Sequence, residues 1–347
     1  MAEFVGGLLA ENGFNVDLLN FDSNRKHLIA EKGVSSSGNP LIFSGHFDTV
    51  PLGNQTWNYN PLNGGIEGDR IYGRGSSDMK SALAAMICAS IAVPAREIPK
   101  DGIRLIFTAA EELGCQGAQQ LVKNYNLANK ASAIVIGEQT ANVPAIGHKG
   151  AIYLNAVACG KTAHSSMPEL GINAIYKAAR AISIIEEFRF NTEKDVLLGF
   201  PTINVGKING GMNINSVPDR AEFSIDIRTT ASVNHDEILK KLSRELGSEV
   251  ALDKLVDLNP VHTDEHDPFV QLVYKICLNE GISEPLPLAL SYLTDGSVLQ
   301  DYYGQIPTII LGPGQPEMAH KTDEFCYISK IEQAVSIYKN IILNWRT

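Results

Sequence analysis

No two cysteines of this chain form a C-x-x-C pair. The five present, Cys88, Cys115, Cys159, Cys277 and Cys326, are odd in number and scattered. That spacing argues against a disulfide framework and against a thiolate zinc site, and it fits a reducing, cytoplasmic setting. Long hydrophobic runs are missing too. A membrane span needs about 18 apolar residues, and the longest run, Ser81–Val93, is shorter and starts at a charged loop. The N-terminus has no basic segment followed by an apolar run and a small-residue cleavage site, so no signal peptide is read there. Positive charge is in deficit: Lys and Arg number 29 against 39 Asp and Glu, a net charge of −10. This balance argues against nucleic-acid binding through phosphate contacts. It suits an enzyme that gathers carboxylates around cations. Low complexity is confined to Ser35–Ser37, and no internal repeat is present.

What is there reads as an ordinary globular protein, 44% hydrophobic and 20% charged, and 347 residues are enough for two domains. Up to about residue 149 strands and helices alternate. A helix over Met1–Asn12 precedes strands at Phe14–Phe21, His27–Glu31 and Pro40–Ser44, the last two flanking a Ser/Gly-rich turn, Gly33–Gly38. A helix over Met79–Ile91, a strand at Ile103–Thr108, a helix over Gly117–Tyr125 and a strand at Ala133–Ile136 follow. This is the pattern of a mainly parallel α/β sheet with flanking helices, whose sites lie just past the strand ends. Residues 150–260 change character. A half-exposed strand at Ala151–Ala158, a helix over Ile172–Phe188, strands at Thr202–Ile208 and Arg220–Arg228 and a helix over His235–Leu246 read as β-α-β-β-α-β, an α+β sandwich of its own. From about Asp267 the α/β pattern returns, with helices over Phe269–Asn279 and Lys330–Asn344 and a strand at Thr308–Leu311. The expected organisation is a discontinuous domain, 1–149 with 261–347, interrupted by an inserted domain, 150–260.

Five short stretches carry candidate chemistry. SGHFDTVP places His46 and Asp48 two apart after an apolar strand. On one strand face Asp48 would hold one ring nitrogen of His46 while the other binds a metal; alone, the pair is as readily a turn beside an exposed histidine. YGRGSSDMKSALAAM resembles a dinucleotide loop until Asp78 takes the place of the third glycine, where a carboxylate repels a pyrophosphate. Asp78 is then either a helix cap or a metal-bridging carboxylate. FTAAEELGCQG sets Glu111 and Glu112 side by side after a buried strand, a repulsion that solvent or a cation would relieve. Glu138 in IGEQT and His320 in GPGQPEMAHKTDEF each follow a strand. Taken together, two imidazoles (His46, His320) and three carboxylates (Asp78, Glu112, Glu138) suit two zinc ions, or cobalt or manganese, with one carboxylate bridging. Glu111 is left over where a general base belongs.

In this order and spacing, these motifs and GKTAHSSMPELGINAI closely resemble the zinc metallopeptidase family that includes acetylornithine deacetylase, succinyl-diaminopimelate desuccinylase, aminoacylase and carboxypeptidase G. The resemblance runs over nearly the whole chain. It implies a zinc-exopeptidase-like catalytic domain with an inserted lid and dimerisation domain. It implies that His46 and Glu138 hold one zinc, that Glu112 and His320 hold the other, and that Asp78 bridges them, followed by a cis peptide to Met79. Glu111 resembles the general base and Asp48 the partner of His46. His164 resembles the histidine that reaches the substrate carbonyl across a dimer, and Asn215 and Arg228 resemble residues that hold the substrate carboxylate. Two departures stand out. Family members carry a further helix and loop ahead of the point where this chain starts, which makes a truncated or mis-assigned start the expectation. The usual Gly-Gly-Thr-type run reads SYLTDG around Thr294.

The chemistry so implied is amide hydrolysis by a metal-bridging hydroxide, with Glu111 taking the proton and returning it to the leaving amine. The substrate would be an N-acyl-L-amino acid, because Glu138 rather than Asp leans toward deacylases and carboxypeptidases. His148-Lys149-Gly150 and HSSMPELGINAI most resemble acetylornithine deacetylases. Desuccinylase, carboxypeptidase and dipeptidase activities are the alternatives. A nucleotide-dependent oxidoreductase would need the glycine that Asp78 displaces, and a non-catalytic binding module would need a broken ligand set, whereas none of the five ligands nor Glu111 is missing.

Overall fold

Strand runs with no polar face need cover on both sides, and this chain supplies it. The computed structural model describes residues 1–35, 37–127, 130–283 and 287–346. In chain order its main elements are α1 (Ala2–Glu11), β1 (Asn15–Asn20), β2 (Lys26–Lys32), β3 (Leu41–His46), α2 (Ser81–Ala92), β4 (Ile103–Thr108), α3 (Gln116–Asn124) and β5 (Ala133–Ile136). Then come β6 (Gly150–Cys159), α4 (Ala174–Glu186), β7 (Thr202–Gly210), β8 (Arg220–Thr229), α5 (His235–Leu246) and β9 (Val250–Leu258). The chain closes with α6 (Pro268–Asn279), α7 (Gly296–Tyr302), β10 (Thr308–Ile310) and α8 (Ile328–Asn344). Ser36, in the expected Gly33–Gly38 turn and the Ser35–Ser37 run, lies outside the described residues.

The chain divides into two compact units, Met1–His148 with Val261–Thr347, and Lys149–Pro260. The first is built on a six-stranded sheet in the order β1-β2-β4-β3-β5-β10. β4, β3, β5 and β10 are parallel, with Phe43 opposite Leu105 and Val135, and Ile309 opposite Val135. β2 joins β4 antiparallel, and β1 is the edge strand. Every residue of β3, β4 and β5 is buried, as parallel strands between two helical layers require. On one face Phe43 meets Tyr338 of α8 edge-on, and α2 packs against α8. On the other, Ile42, Ile106 and Ile134 share a core with Leu121 of α3 and Leu299 of α7. The one charge within β4, Arg104, bonds Glu31 Oε1 at 2.6 Å and the Tyr303 hydroxyl at 3.1 Å. A buried guanidinium is tolerated only with such partners.

The second unit is a four-stranded antiparallel sheet, β7-β8-β6-β9. β6 over 152–158 and β8 over 221–229 alternate buried and half-buried residues, the period-2 pattern of a sheet with one covered face. That face carries Ile152, Leu154, Phe223 and Ile225, which share a core with Ala178 of α4 and Leu242 of α5. Asn173 and Asn234 cap the two helices by accepting from the amides of Tyr176 and Glu237. The order β6-α4-β7-β8-α5-β9 is the β-α-β-β-α-β run read from the sequence. No helix among the described residues is long and apolar enough to cross a membrane.

Candidate metal centre

The parallel strands of the first unit deliver their polar residues at one end. His46 is the last residue of β3, Glu111 and Glu112 follow β4, Glu138 follows β5, and His320 lies in the long loop after β10. Asp78 sits in the turn that opens α2 and is joined to Met79 by a cis peptide bond. The helix expected from Met79 begins at Ser81, because Asp78 and Met79 have non-helical backbone angles.

Asp78 ties the set together. Its Oδ1 lies 3.1 Å from His46 Nε2, which is 3.6 Å from Glu138 Oε1. Its Oδ2 lies 3.3 Å from His320 Nε2, which is 3.1 Å from Glu112 Oε2. Two groups result, His46–Asp78–Glu138 and Asp78–Glu112–His320, each with its donor atoms within 4.8 Å of one another. One carboxylate thus gives one oxygen to each group.

Side chains pack closely around these positions. A Cβ at Gly45 would lie 2.2 Å from Met79 Cε and 2.8 Å from a Leu83 methyl, so the buried Met79 and Leu83 side chains would have to move to admit one. Asp48 departs from the strand-face reading. β3 ends at His46, and Asp48 lies in the following turn. His46 Nδ1 is 3.0 Å from the Asp48 carbonyl oxygen and 3.6 Å from its carboxylate. The carboxylate instead accepts from the backbone amides of Glu111 and Glu112, each at 3.1 Å. The carbonyl orients the ring, as hydrogen-bond partners of metal-binding histidines do, and the carboxylate anchors the Glu111–Glu112 turn.

The electrostatics are those of crowded, buried acids. Burial drives Glu111 up to about 8, with Asp295 and Glu112 adding to the rise and His46 opposing it. Burial likewise raises Glu138 well above the usual range, and Asp78, Glu111 and Glu112 add to it. For Asp78 burial opposes charge, yet hydrogen bonds from His320 and His46 outweigh it and hold the carboxyl well below its ordinary value. Burial also disfavours charge on His46, but the hydrogen bond to Asp78 and the nearby Glu138 and Glu111 raise it well above normal. His320 is raised to about 10 by Asp78 and Glu112. Glu112 Oε1 is buried without a hydrogen-bond partner among the described residues, a costly state for a carboxylate oxygen. Cations relieve each of these strains at once, and the imidazole–carboxylate donor set is that of divalent zinc, cobalt or manganese. These residues fit a pair of metal ions.

The remaining expected site residues, His164, Asn215 and Arg228, belong to the second unit. His164 is exposed, with Nδ1 2.8 Å from Ser166 Oγ. Asn215 accepts the Ser165 amide with its carbonyl. Arg228 pairs with Asp226 at 2.8 Å and lies over the Tyr153 ring. In the first unit Thr294 Oγ1 is 2.9 Å from His148 Nε2. Sequence reasoning missed two buried acids. Glu324 lies beneath the Asp78 turn. Asp295 accepts from Thr108 Oγ1 and forms a third close group with Glu111 and Cys115. The only signal for either was an acid beside a site motif, in TDEF and TDG.

Residues 42–344 match the pattern of Peptidase family M20/M25/M40. A probable succinyl-diaminopimelate desuccinylase of Staphylococcus epidermidis is 30% identical over 375 residues, covering 98% of this chain and 91% of that protein. An acetylornithine deacetylase of Vibrio cholerae is 30% identical over 342 residues, covering 95% of this chain and 87% of its own. Among solved structures, an M20 family metallo-carboxypeptidase of Sulfolobus solfataricus shares the fold with a TM-score of 0.81 at 20% identity, covering 99% of this chain and 93% of that one. A dinuclear metal binding M20 peptidase of Bacillus subtilis does so with a TM-score of 0.72 at 17% identity, over 99% and 90% of the two chains.

Proposed function

The chain belongs to peptidase family M20/M25/M40, a metal-dependent hydrolase of amide bonds, and we propose that it removes the N-acyl group from an N-acyl-L-amino acid, as acetylornithine deacetylases do. The observation that carries this reading is Asp78, which gives one oxygen to each of two His–carboxylate groups while Glu111 stands beside them in neither. We assign His46 and Glu138 to one zinc ion, Glu112 and His320 to the other, and Asp78 to both. Cations held there would acidify a water and polarise the amide carbonyl.

Glu111 takes the proton of that water and hands it to the leaving amine. Its burial supports the role, because a carboxyl raised toward neutrality is a stronger base than an exposed one and can still pass the proton it takes on to the amine. Asp48 keeps Glu111 in place through its backbone amide. We assign the partner subunit's His164, supplied by a dimer formed through the second unit, to the developing oxyanion. Arg228 and Asn215 are assigned to the substrate carboxylate. The relatives named for acetylornithine and succinyl-diaminopimelate support an acyl amino acid over a long peptide. Desuccinylation is the second reading, favoured by the Staphylococcus relative that matches 98% of the chain.

A turnover panel tests this: N-acetyl-ornithine, N-succinyl-diaminopimelate, other N-acyl amino acids and dipeptides, each with added zinc or cobalt and with metal analysis of the protein. Two ions per chain and fastest release of the acetyl group are expected. A dipeptide turned over faster than every acyl amino acid would overturn the substrate assignment, and full activity in chelator would overturn the metal assignment.

A further inference from the structure

We propose that Glu324 is a positioning residue for Asp78, and that it sets the affinity of the chain for its pair of cations. The inference rests on the metal-centre reading above. Glu324 is fully buried, and four donors converge on its carboxylate. Oε1 accepts from the amides of Ser77 at 2.8 Å and Asp78 at 2.9 Å. Oε2 accepts from the amide of Gly75 at 2.9 Å and from Arg74 Nη1 at 2.7 Å.

These amides have no helix to bond to. Asp78, at φ −118° and ψ 91°, breaks the helical path just before α2. Successive N–H groups in such a turn form a concavity that takes an anion, and here the anion is a side chain 246 residues further along. Unpaired, each buried amide would oppose this conformation. The carboxylate therefore selects the turn that points both Asp78 oxygens at the two groups.

The same short stretch carries a ligand. His320 lies four residues before Glu324, and Asp323 pins it by accepting from the backbone of Asn58 at 2.8 Å and of Tyr59 at 3.2 Å. The residue that holds the shared ligand and the ligand of one group thus lie on one short, anchored stretch. Arg74 closes the other side of Glu324 and also donates to the Lys321 carbonyl at 3.2 Å. It neutralises the buried charge, while the amides determine the shape of the turn.

Cobalt titration followed by visible absorption, with the bound ion counted, tests the assignment. Glu324→Gln turns one acceptor into a donor facing N–H groups. It should weaken cobalt binding about ten- to a hundred-fold, the usual effect of losing a residue that orients a metal ligand, and alter the spectrum of the loaded protein. Arg104→Gln removes a buried guanidinium that bonds Glu31 and Tyr303 and touches neither the turn nor a ligand; it should keep parental cobalt affinity and spectrum, even where its melting temperature falls as far. If Glu324→Gln does not fold, Glu324→Asp decides: it keeps the charge, withdraws the carboxylate by one methylene, and should show the same loss to a smaller degree. Parental affinity and spectrum in the folded Glu324 variant would overturn the inference. So would an equal cobalt loss in Arg104→Gln, which would make the effect one of general stability. Fewer than two ions in the unmutated chain would instead overturn the metal-centre reading.

Discussion

Gly117→Ala adds a single methyl group and no charge, yet it should disable the site. Gly117 is the second residue of α3, and a Cβ there would lie 1.4 Å from the carbonyl oxygen of Ala109 and 2.6 Å from its carbon. Real Cβ contacts stay beyond 3.0 Å, so helix and strand end must part by about 1.6 Å, a backbone displacement that rotamer changes cannot absorb. Ala109 is two residues from Glu111, and its own amide is fixed by His27 Nδ1 at 3.2 Å. Overpacking of this kind costs about 3 kcal/mol or more. In a unit of 235 residues, 148 before the second unit and 87 after it, that lowers the melting temperature by roughly 6–12 °C. The same displacement carries Glu111 with it, and a shift of about 1 Å at a reacting group costs on the order of a hundredfold in rate. The assay is kcat on the best acyl amino acid, with melting followed by calorimetry on the metal-loaded protein. Gly7→Ala is the matched control. It lies exposed in α1 with nothing within 4 Å of its added Cβ, and should gain about 0.5–1 kcal/mol. A Gly117→Ala protein with parental kcat and melting temperature would refute the chain of reasoning from crowding to catalysis.

Two further outcomes are expected. Glu111→Gln should keep both ions, since Glu111 belongs to neither ligand group, while kcat falls about 10²- to 10⁴-fold; metal loss in step with activity would show that Glu111 is a ligand instead. In chelator, stability should fall as pH rises from 5 to 9. Glu111 is raised from 4.5 to about 8 in the fold, so between those values the unfolded chain binds fewer protons and rising pH favours unfolding. His320, raised from 6.5 to about 10, acts with the same sign over its own window. Bound ions keep the carboxylates charged and should flatten the slope. Melting scans across pH with chelator and with zinc measure both arms, and a chelated protein that gains stability toward pH 9 would contradict the assignment.

Much of this was legible in the sequence because its signals are local. Ile103–Thr108, Ala133–Ile136 and His235–Leu246 have the same bounds in sequence and structure. The two strands are rich in isoleucine and other apolar residues, with Arg104 their one charge, and the helix follows a capping Asn234. The five ligand-type residues could be found because each lies after a strand or opens a helix. α7 could not. Gly296–Tyr302 is seven residues without clear period, held by Val298 and Leu299 in the core. The start of α2 was misread because composition does not show that Asp78 and Met79 leave helical geometry. What the Asp48 carboxylate holds, and Glu324 altogether, were hidden for a common reason: both bind backbone amides, which have no sequence identity, across 63 and 246 residues.

The order of strands in the first unit has a consequence for how the chain is made. β5 receives its outer neighbour, β10, only after the whole of Lys149–Pro260 has been synthesised. The second unit is contiguous and can close on its own while the ribosome is still working. β5, four apolar residues in a row, must meanwhile wait with an open edge, the kind of surface that pairs with the wrong chain. The cation site is incomplete over the same interval, because His320 comes later still. Metal cannot therefore rescue the half-made sheet, and protection of that edge falls to chaperones or to speed. A chain cut before Thr308 would carry the edge permanently, and its solubility beside that of the full chain measures the hazard.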